Sequence, residues 1–433
     1  VEVAKRGRSA VAVCSTAFQT LGRAQARALG EPALPMLVIP HPFGTRSRDE
    51  VRQIATRCVD DLVARSSGVG AGEEAAARPP VAGACAAPAR VVEVADDPDA
   101  VNRLVRERRW GDGLPVVPPT PERVERMLAC TTRPRDAIVA RVAPAFGPAT
   151  VEGIAINAVM AGCDPQALPL LVAAVEAVAD PVFNLQAIQA TTNPVAVWLI
   201  VNGPAARALD VNSGWNCLGQ GTWANATLGR ALRLVLQNIG GALPGEMDRA
   251  THGYPGKYSF CCAENEAESP WQPLHVERGY APGRSTVTVV GAESTMNMNI
   301  HTKDPGELLR SIAQTMIHPP SNEYTHGGEP WIVFGPEHAG ILARAGYGKD
   351  DVRQRLWELS RMPASMLPAP ELERTRASRR GELGEIAPGT LLPIAPRPQD
   401  IALLVAGGPG THSVYVPSFG NSRAVTRALD AGR

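Results

Sequence analysis

Three stretches of this chain follow one plan, an apolar run of strand character that empties into a Gly-Pro turn. They are Trp198-Leu-Ile-Val-Asn-Gly-Pro204, Trp331-Ile-Val-Phe-Gly-Pro336 and Leu403-Leu-Val-Ala-Gly-Gly-Pro409, and Thr286-Val-Thr-Val-Val-Gly291 is a fourth strand of similar build. Short apolar runs bounded by glycine and proline read as buried strands. The segments between them carry helical spacing, so the class is α/β with a mixed sheet. In open α/β sheets ligands lie beyond the carboxyl ends of strands, where glycine lets the backbone approach closely. The residues just after these turns are therefore the first candidates for a site, and they are expected to share one hollow.

The chain divides into unequal parts. Over residues 1–66, Ala10-Val-Ala-Val-Cys14 and Leu34-Pro-Met-Leu-Val-Ile39 read as strands. Phe18 to Leu29 and Arg48 to Ala64 read as helices, the second with Val51, Ile54, Cys58 and Leu62 on its apolar side. That β-α-β-α order predicts a small parallel sheet, a partial Rossmann-like module. Residues 67–90 have linker composition. Residues 91–433 are expected to form a larger α/β catalytic domain. In it, Asp97 to Arg108 is a polar helix, and Trp110-Gly-Asp-Gly-Leu-Pro-Val-Val-Pro-Pro119 is an extended arm, since its prolines forbid helix. Val151 to Ala161 and Leu168 to Ala179 are apolar almost all round and should be buried. Asn225 to Ile239 is a further helix, with Asn225 expected as its cap and Gly240-Gly241 as its stop.

Lysine plus arginine number 43, and so do aspartate plus glutamate, so no basic field draws in nucleic acid or an anionic membrane. A small molecule is the expected partner, and a homo-oligomer is compatible with the composition. No apolar stretch reaches the ~20 residues of a bilayer span, and no signal-peptide pattern follows Val1, so the cytoplasm is the expected compartment. The eight cysteines have no repeated spacing and no CxxC pair, which predicts free thiols and no structural metal.

The densest chemistry lies between Gly253 and His275, where Lys257, Cys261, Cys262, Glu264, Asn265, Glu266, Trp271 and His275 fall in one short stretch. Glu264 and Glu266 alternate with Asn265, so in an extended segment both carboxylates face one way and can share a proton or bind a cation. Lys257 would neutralise them or hold an anionic substrate. The bland alternative is a solvated loop, but Pro270, Trp271 and Pro273 argue for a fixed one. Cys262 is the candidate nucleophile or redox thiol, ahead of Cys261, Cys163 and Cys217, against the commoner state of a buried inert cysteine. His338 follows the Gly335-Pro336 turn and His412 follows Gly407-Gly-Pro-Gly410, as bases at two strand ends would. Asn202 and Asn225, like Asn157, Asn212, Asn297 and Asn299, lie near glycines or element ends, where amides orient carbonyls and carboxylates. Cys262, Glu264, Glu266, His275 and His338 are thus the candidate catalytic residues. Lys257, Asn202, Asn225, Asn265 and His412 are the candidate substrate ligands. Nothing in the pattern assigns a cofactor.

Val11-Ala-Val-Cys-Ser-Thr-Ala-Phe18, Gln25-Ala-Arg-Ala-Leu-Gly30 and Leu37-Val-Ile-Pro-His-Pro-Phe-Gly44 together resemble the C-terminal part of the UGSC family of proteins and selenoproteins. That resemblance covers about the first 66 residues. The family carries a selenocysteine or cysteine in a U/C-Gly-Ser-Cys motif upstream of this point. The motif is absent here, so its chalcogen maps onto no position of this sequence. An N-terminal truncation at a UGA codon is the expected cause. The larger region looks like one fused to such modules. The resemblance implies thiol or selenol redox chemistry on a small molecule, with reductive cleavage of a carbon–heteroatom bond as one fitting reaction. A second expectation is an acid–base lyase or hydrolase using Glu264, Glu266 and His338. A third is a binding or assembly subunit with Val151 to Ala179 as its oligomer interface.

Overall fold

A computed structural model describes residues 1–43, 46–67 and 89–430; most of the expected linker lies outside the described residues. Strands β1 (Ala12–Ser15) and β2 (Met36–Ile39) pair in parallel, and the helix Gln19–Ala28 makes the crossover between them. Leu34, Met36 and Ala26 form a small apolar cluster of their own. The helix Arg48–Ser67 buries Ile54, whereas Leu62 on the same expected face is exposed. Gln25 of this unit donates to the Pro144 carbonyl at 3.0 Å.

In the larger region the hairpin β3 (Ile138–Val142) and β4 (Gly147–Thr150) leads into the helix Val151–Ala161. Thr150 caps that helix by accepting from the Gly153 N–H. The strands that follow are β5 (Ala196–Asn202), β6 (Cys261–Ala263), β7 (Thr286–Ala292), β8 (Met296–Asn299) and β9 (Trp331–Phe334). A two-residue clip, β10 (Met362–Pro363) with β11 (Leu391–Leu392), precedes β12 (Ala402–Val405), β13 (His412–Val416) and β14 (Val425–Ala428).

Two four-stranded sheets result, in the orders β6-β5-β7-β14 and β12-β9-β13-β8. They are built alike. Each has a parallel pair at one edge, β5 with β6 and β9 with β12, followed by two antiparallel neighbours. Trp198 pairs with Val290 in the first sheet as Trp331 pairs with Val416 in the second. The halves also exchange strands: β8 follows β7 in sequence but joins the second sheet, and β14 follows β13 but joins the first. The exchange crosses at an antiparallel bridge between Ala292 and Ser418.

Alternation along the strands sorts their side chains into layers. Leu199 and Val201 of β5 and Val287 and Val289 of β7 face the helices Val151–Ala161, Leu168–Val178 and Trp223–Asn238. Trp198, Ile200, Val290 and Cys262 face the other way and meet Trp331, Val333, Leu404 and Val416 of the second sheet. The far face of the second sheet, with Ile332, Phe334, Leu403 and Tyr415, is covered by the helices Pro305–Met316, Pro336–Arg344 and Lys349–Leu359. The arrangement is a four-layer α/β/β/α sandwich, and strands buried on both faces explain why β7 is buried at every residue.

Ala158, Leu168 and Ala174 are fully enclosed within the chain, which leaves the helices Val151–Ala161 and Leu168–Val178 little apolar surface for an oligomer interface. The proline-rich arm lies across the helix Trp223–Asn238, clamped by Arg230, which bonds both Asp112 oxygens and the carbonyls of Leu114 and Pro115. Among the described residues no single helix is long and apolar enough to cross a membrane.

Candidate functional site

Asn202 is the last residue of β5, and Glu264 directly follows β6. The parallel register that sets Ile200 beside Cys262 brings Asn202 level with Glu264. Both side chains lie on the alternation that carries Trp198, Ile200 and Cys262 between the sheets, so they sit at the mouth of the inter-sheet layer. Asn202 is fully buried and Glu264 nearly so. Asn202 Nδ2 donates to Glu264 Oε2 at 2.6 Å and to Glu266 Oε1 at 2.9 Å, so one amide joins both acids. Backbone donors complete the frame: Gly203 N–H to Glu266 Oε1 at 2.7 Å, and Leu274 N–H to Glu264 Oε2 at 2.7 Å. Gly203 has φ +78°, and a Cβ there would lie 2.5 Å from the Arg284 carbonyl oxygen, so glycine is required.

His275, fully buried, completes the group. Its Nε2 lies 3.1 Å from the Pro282 carbonyl, so that nitrogen carries a proton and donates, and Nδ1 lies 3.8 Å from Glu266 Oε1. Burial pushes the Glu264 carboxyl up to about 7, against the Lys349 charge, the Leu274 N–H and the Asn202 amide. Lys349 is itself held by Glu277 at 2.9 Å, and Glu277 also takes Arg353. Three buried polar atoms of this cluster have no hydrogen-bond partner among the described residues: Asn202 Oδ1, Glu264 Oε1 and His275 Nδ1. With Glu264 ionised, Asn202 Oδ1 and Glu264 Oε1 are acceptors, as is His275 Nδ1 in the neutral ring, so the site is complementary to a group that brings N–H or O–H donors.

The structure therefore brings together Asn202, Glu264, Glu266 and His275. Asn265 spans the two sheets instead, its N–H on the Val405 carbonyl at 2.8 Å and its Nδ2 on the Gly407 carbonyl at 3.3 Å. Thus the carboxyl ends of β5, β6 and β12 do meet. The end of β7 does not join them, because β7 runs antiparallel to β5 and its Gly291 lies beside Val197, at the opposite end of the strands. Lys257 does not reach the acids; its Nζ is bound to both oxygens of Asp248, at 2.9 and 2.7 Å. Asn225 is neither cap nor ligand: Thr222 occupies the cap position, and the Asn225 amide is consumed by the Asn212, Cys217 and Cys261 carbonyls.

His338 is likewise committed elsewhere, with Nδ1 on Ser413 Oγ at 2.7 Å and Nε2 on the Ile300 carbonyl at 2.9 Å. His412 contacts Asn297 on the surface. Cys262 is fully enclosed between the sheets. Cys163 donates to the Thr227 carbonyl, and burial drives its thiol up to about 12. Sequence reasoning missed Lys349, which lies far along the chain at the start of the helix Lys349–Leu359 and carries no local motif that marks it as buried. It also missed the Gly203 and Leu274 N–H groups, which carry no residue-type signal. Among the described residues no three His, Cys, Asp or Glu side chains are grouped to hold a metal ion.

The buried acids set a pH dependence. Burial pushes Glu264 and Glu293 up to about 7 and Glu323 up to about 8, against 4.5 for a free glutamate. Between these limits only the folded chain holds the protons, so the stability they contribute is full below the free value and is lost as pH rises through 7 to 8. His326 and His338, held below 6.5 chiefly by burial, act at the other end, since their contribution is lost as pH falls below that value. The unfolding free energy should therefore fall by roughly 1–3 kcal/mol between about pH 6.5 and about pH 9. Denaturant titrations across that range check it. Glu323→Gln should flatten the curve, and an unchanged slope in that variant would contradict the assignment.

Residues 1–68 match the model of the UGSC family. The match stops short of β3 and of every residue of the cluster around Glu264. No curated protein and no solved structure matches the chain.

Proposed function

We propose that the larger region is an acid–base enzyme acting on a small molecule rich in hydroxyl or amine groups, a lyase or hydrolase in which Glu264 exchanges the proton. One observation carries this reading: a single buried amide ties two carboxylates together while Asn202 Oδ1, Glu264 Oε1 and His275 Nδ1 stay open as acceptors. A carboxyl that titrates near 7 is matched to proton transfer at neutral pH, because both of its forms are populated there. Glu266, whose side chain is 30% exposed, is the member of the group that faces incoming substrate. His275 Nδ1 and Asn202 Oδ1 would fix substrate donors.

General-base removal of a carbon-bound proton leaves a trace in heavy water. The full chain incubated in D2O with a mixture of hydroxy acids, keto acids and amino acids should place deuterium in at least one of them, read by mass spectrometry. Glu264→Gln should slow that uptake by about 10²-fold. Uptake in the unaltered protein no faster than in protein-free buffer, or equal uptake by the variant, would overturn the lyase form of the reading.

A thiol-dependent redox activity, which the UGSC match raises, is a second proposal with an observation of its own. Cys262 adjoins a second thiol, that of Cys217.

A further inference from the structure

Cys217 and Cys262 come from distant segments, yet one side chain gathers their backbones. Asn225 Nδ2 donates to the carbonyls of Cys217 and Cys261, each at 3.0 Å. Alternation along β6 turns Cys261 toward the helices and Cys262 into the inter-sheet layer, and Cys217 lies in that same layer. Cys262 thus has Cys217 and not its chain neighbour as thiol partner. The two thiols are unequal. The neighbouring Cys262 thiol holds Cys217 below the usual thiol range against burial, helped by the N–H groups of Cys217 and Leu218. The Cys217 thiol in turn, and then burial, drives Cys262 well above it. Cys217 is also the less enclosed, at 4% exposure against 0%. A stabilised thiolate nearer the surface, backed by a protonated thiol, is the arrangement of an attacking and a resolving cysteine.

We propose that Cys217 and Cys262 form a reversible disulfide that carries two electrons from a small dithiol to a hydroperoxide. This rests on the thiol-dependent reading and names its residues and co-reactants; it uses no side chain of the acid–base centre. The Cys217 thiolate attacks the distal peroxide oxygen, the O–O bond breaks, and the alcohol leaves with a proton from solvent, giving a sulfenic acid. The Cys262 sulfur then attacks Cys217 Sγ, its proton and the hydroxyl depart as water, and the disulfide closes. An external dithiol restores both thiols and is itself oxidised to a disulfide.

The test uses the full chain, reduced, then treated with equimolar hydrogen peroxide, alkylated under denaturing conditions and digested. A cross-linked pair of peptides, one containing Cys217 and the other Cys262, is expected, lighter by two hydrogen atoms than its parts and separated by dithiothreitol. Peroxide consumption with dithiothreitol as reductant should fall at least roughly tenfold in both Cys217→Ser and Cys262→Ser. Full alkylation of both cysteines after peroxide, or a cross-link joining Cys261 to Cys262 instead, overturns the proposal, and this readout needs no variant to fold. A Cys217–Cys262 cross-link with peroxide consumption unchanged in both variants overturns the thiol-dependent reading beneath it.

Discussion

Replacing Trp331 with alanine is expected to lower the unfolding free energy by about 3–5 kcal/mol, the range for emptying a buried aromatic site. Trp331 is fully buried at the centre of the layer between the sheets. Its ring meets Trp198 edge-on at 5.7 Å, and Trp198 in turn stacks on Phe260 at 5.2 Å. These residues occupy equivalent places in the two halves, so the cavity would open where the sheets contact each other. The Trp331 indole N–H has no hydrogen-bond partner among the described residues, so Trp331→Phe gives up no bond seen there and keeps an aromatic edge toward Trp198. It should cost well under half as much as the alanine change. Guanidinium titrations of the three proteins check both statements, and equal losses from alanine and phenylalanine would show that the layer is not held by ring packing.

The same residues show how much was legible in the sequence. The strand-to-glycine units were visible because each is a local signal, an apolar run with a turn at its end, and all four prove to be strands. Their resemblance has a cause that one-dimensional reading does not expose: the Trp198 and Trp331 segments are equivalent strands of two like-built sheets. The exchange of β8 and β14 depends on pairings between residues more than a hundred positions apart, and no local pattern encodes it.

The buried helices were legible from apolar residues on all sides. The helix starting at Trp223 was also visible, though Asn225 lies one turn inside it and not at its cap. At the site, Glu264, Glu266 and Asn202 could be singled out by residue type and by their places after strands. Lys257 was misplaced because its partner Asp248 is near it in sequence and looked unremarkable there. His338 was misplaced because Ser413 and the Ile300 carbonyl, which absorb both ring nitrogens, come from other strands and loops.

Asn202→Leu is expected to reduce the Glu264-dependent deuterium uptake by about 10²–10³-fold, the scale on which removal of one preorganised donor acts. The substitution roughly conserves volume, so the packing of β5 against β7 need not change. What it removes is the only side-chain donor, among the described residues, shared by the two acids. Glu264 would keep the Leu274 N–H, and Glu266 would keep the Gly203 N–H, but each carboxylate would lose a bond that favours its charged form. Glu264 already stands at about 7 because burial outweighs those bonds, so losing one must carry it higher. The uptake rate plotted against pH should therefore move to the alkaline side as well as fall in height. That shift separates the two roles open to Asn202. An amide that merely fills space would lower the rate at every pH alike, whereas a positioning residue acting through Glu264 must move the midpoint. A profile that drops without shifting, or one that shifts equally in Glu264→Gln, would remove Asn202 from the proposed proton-transfer centre.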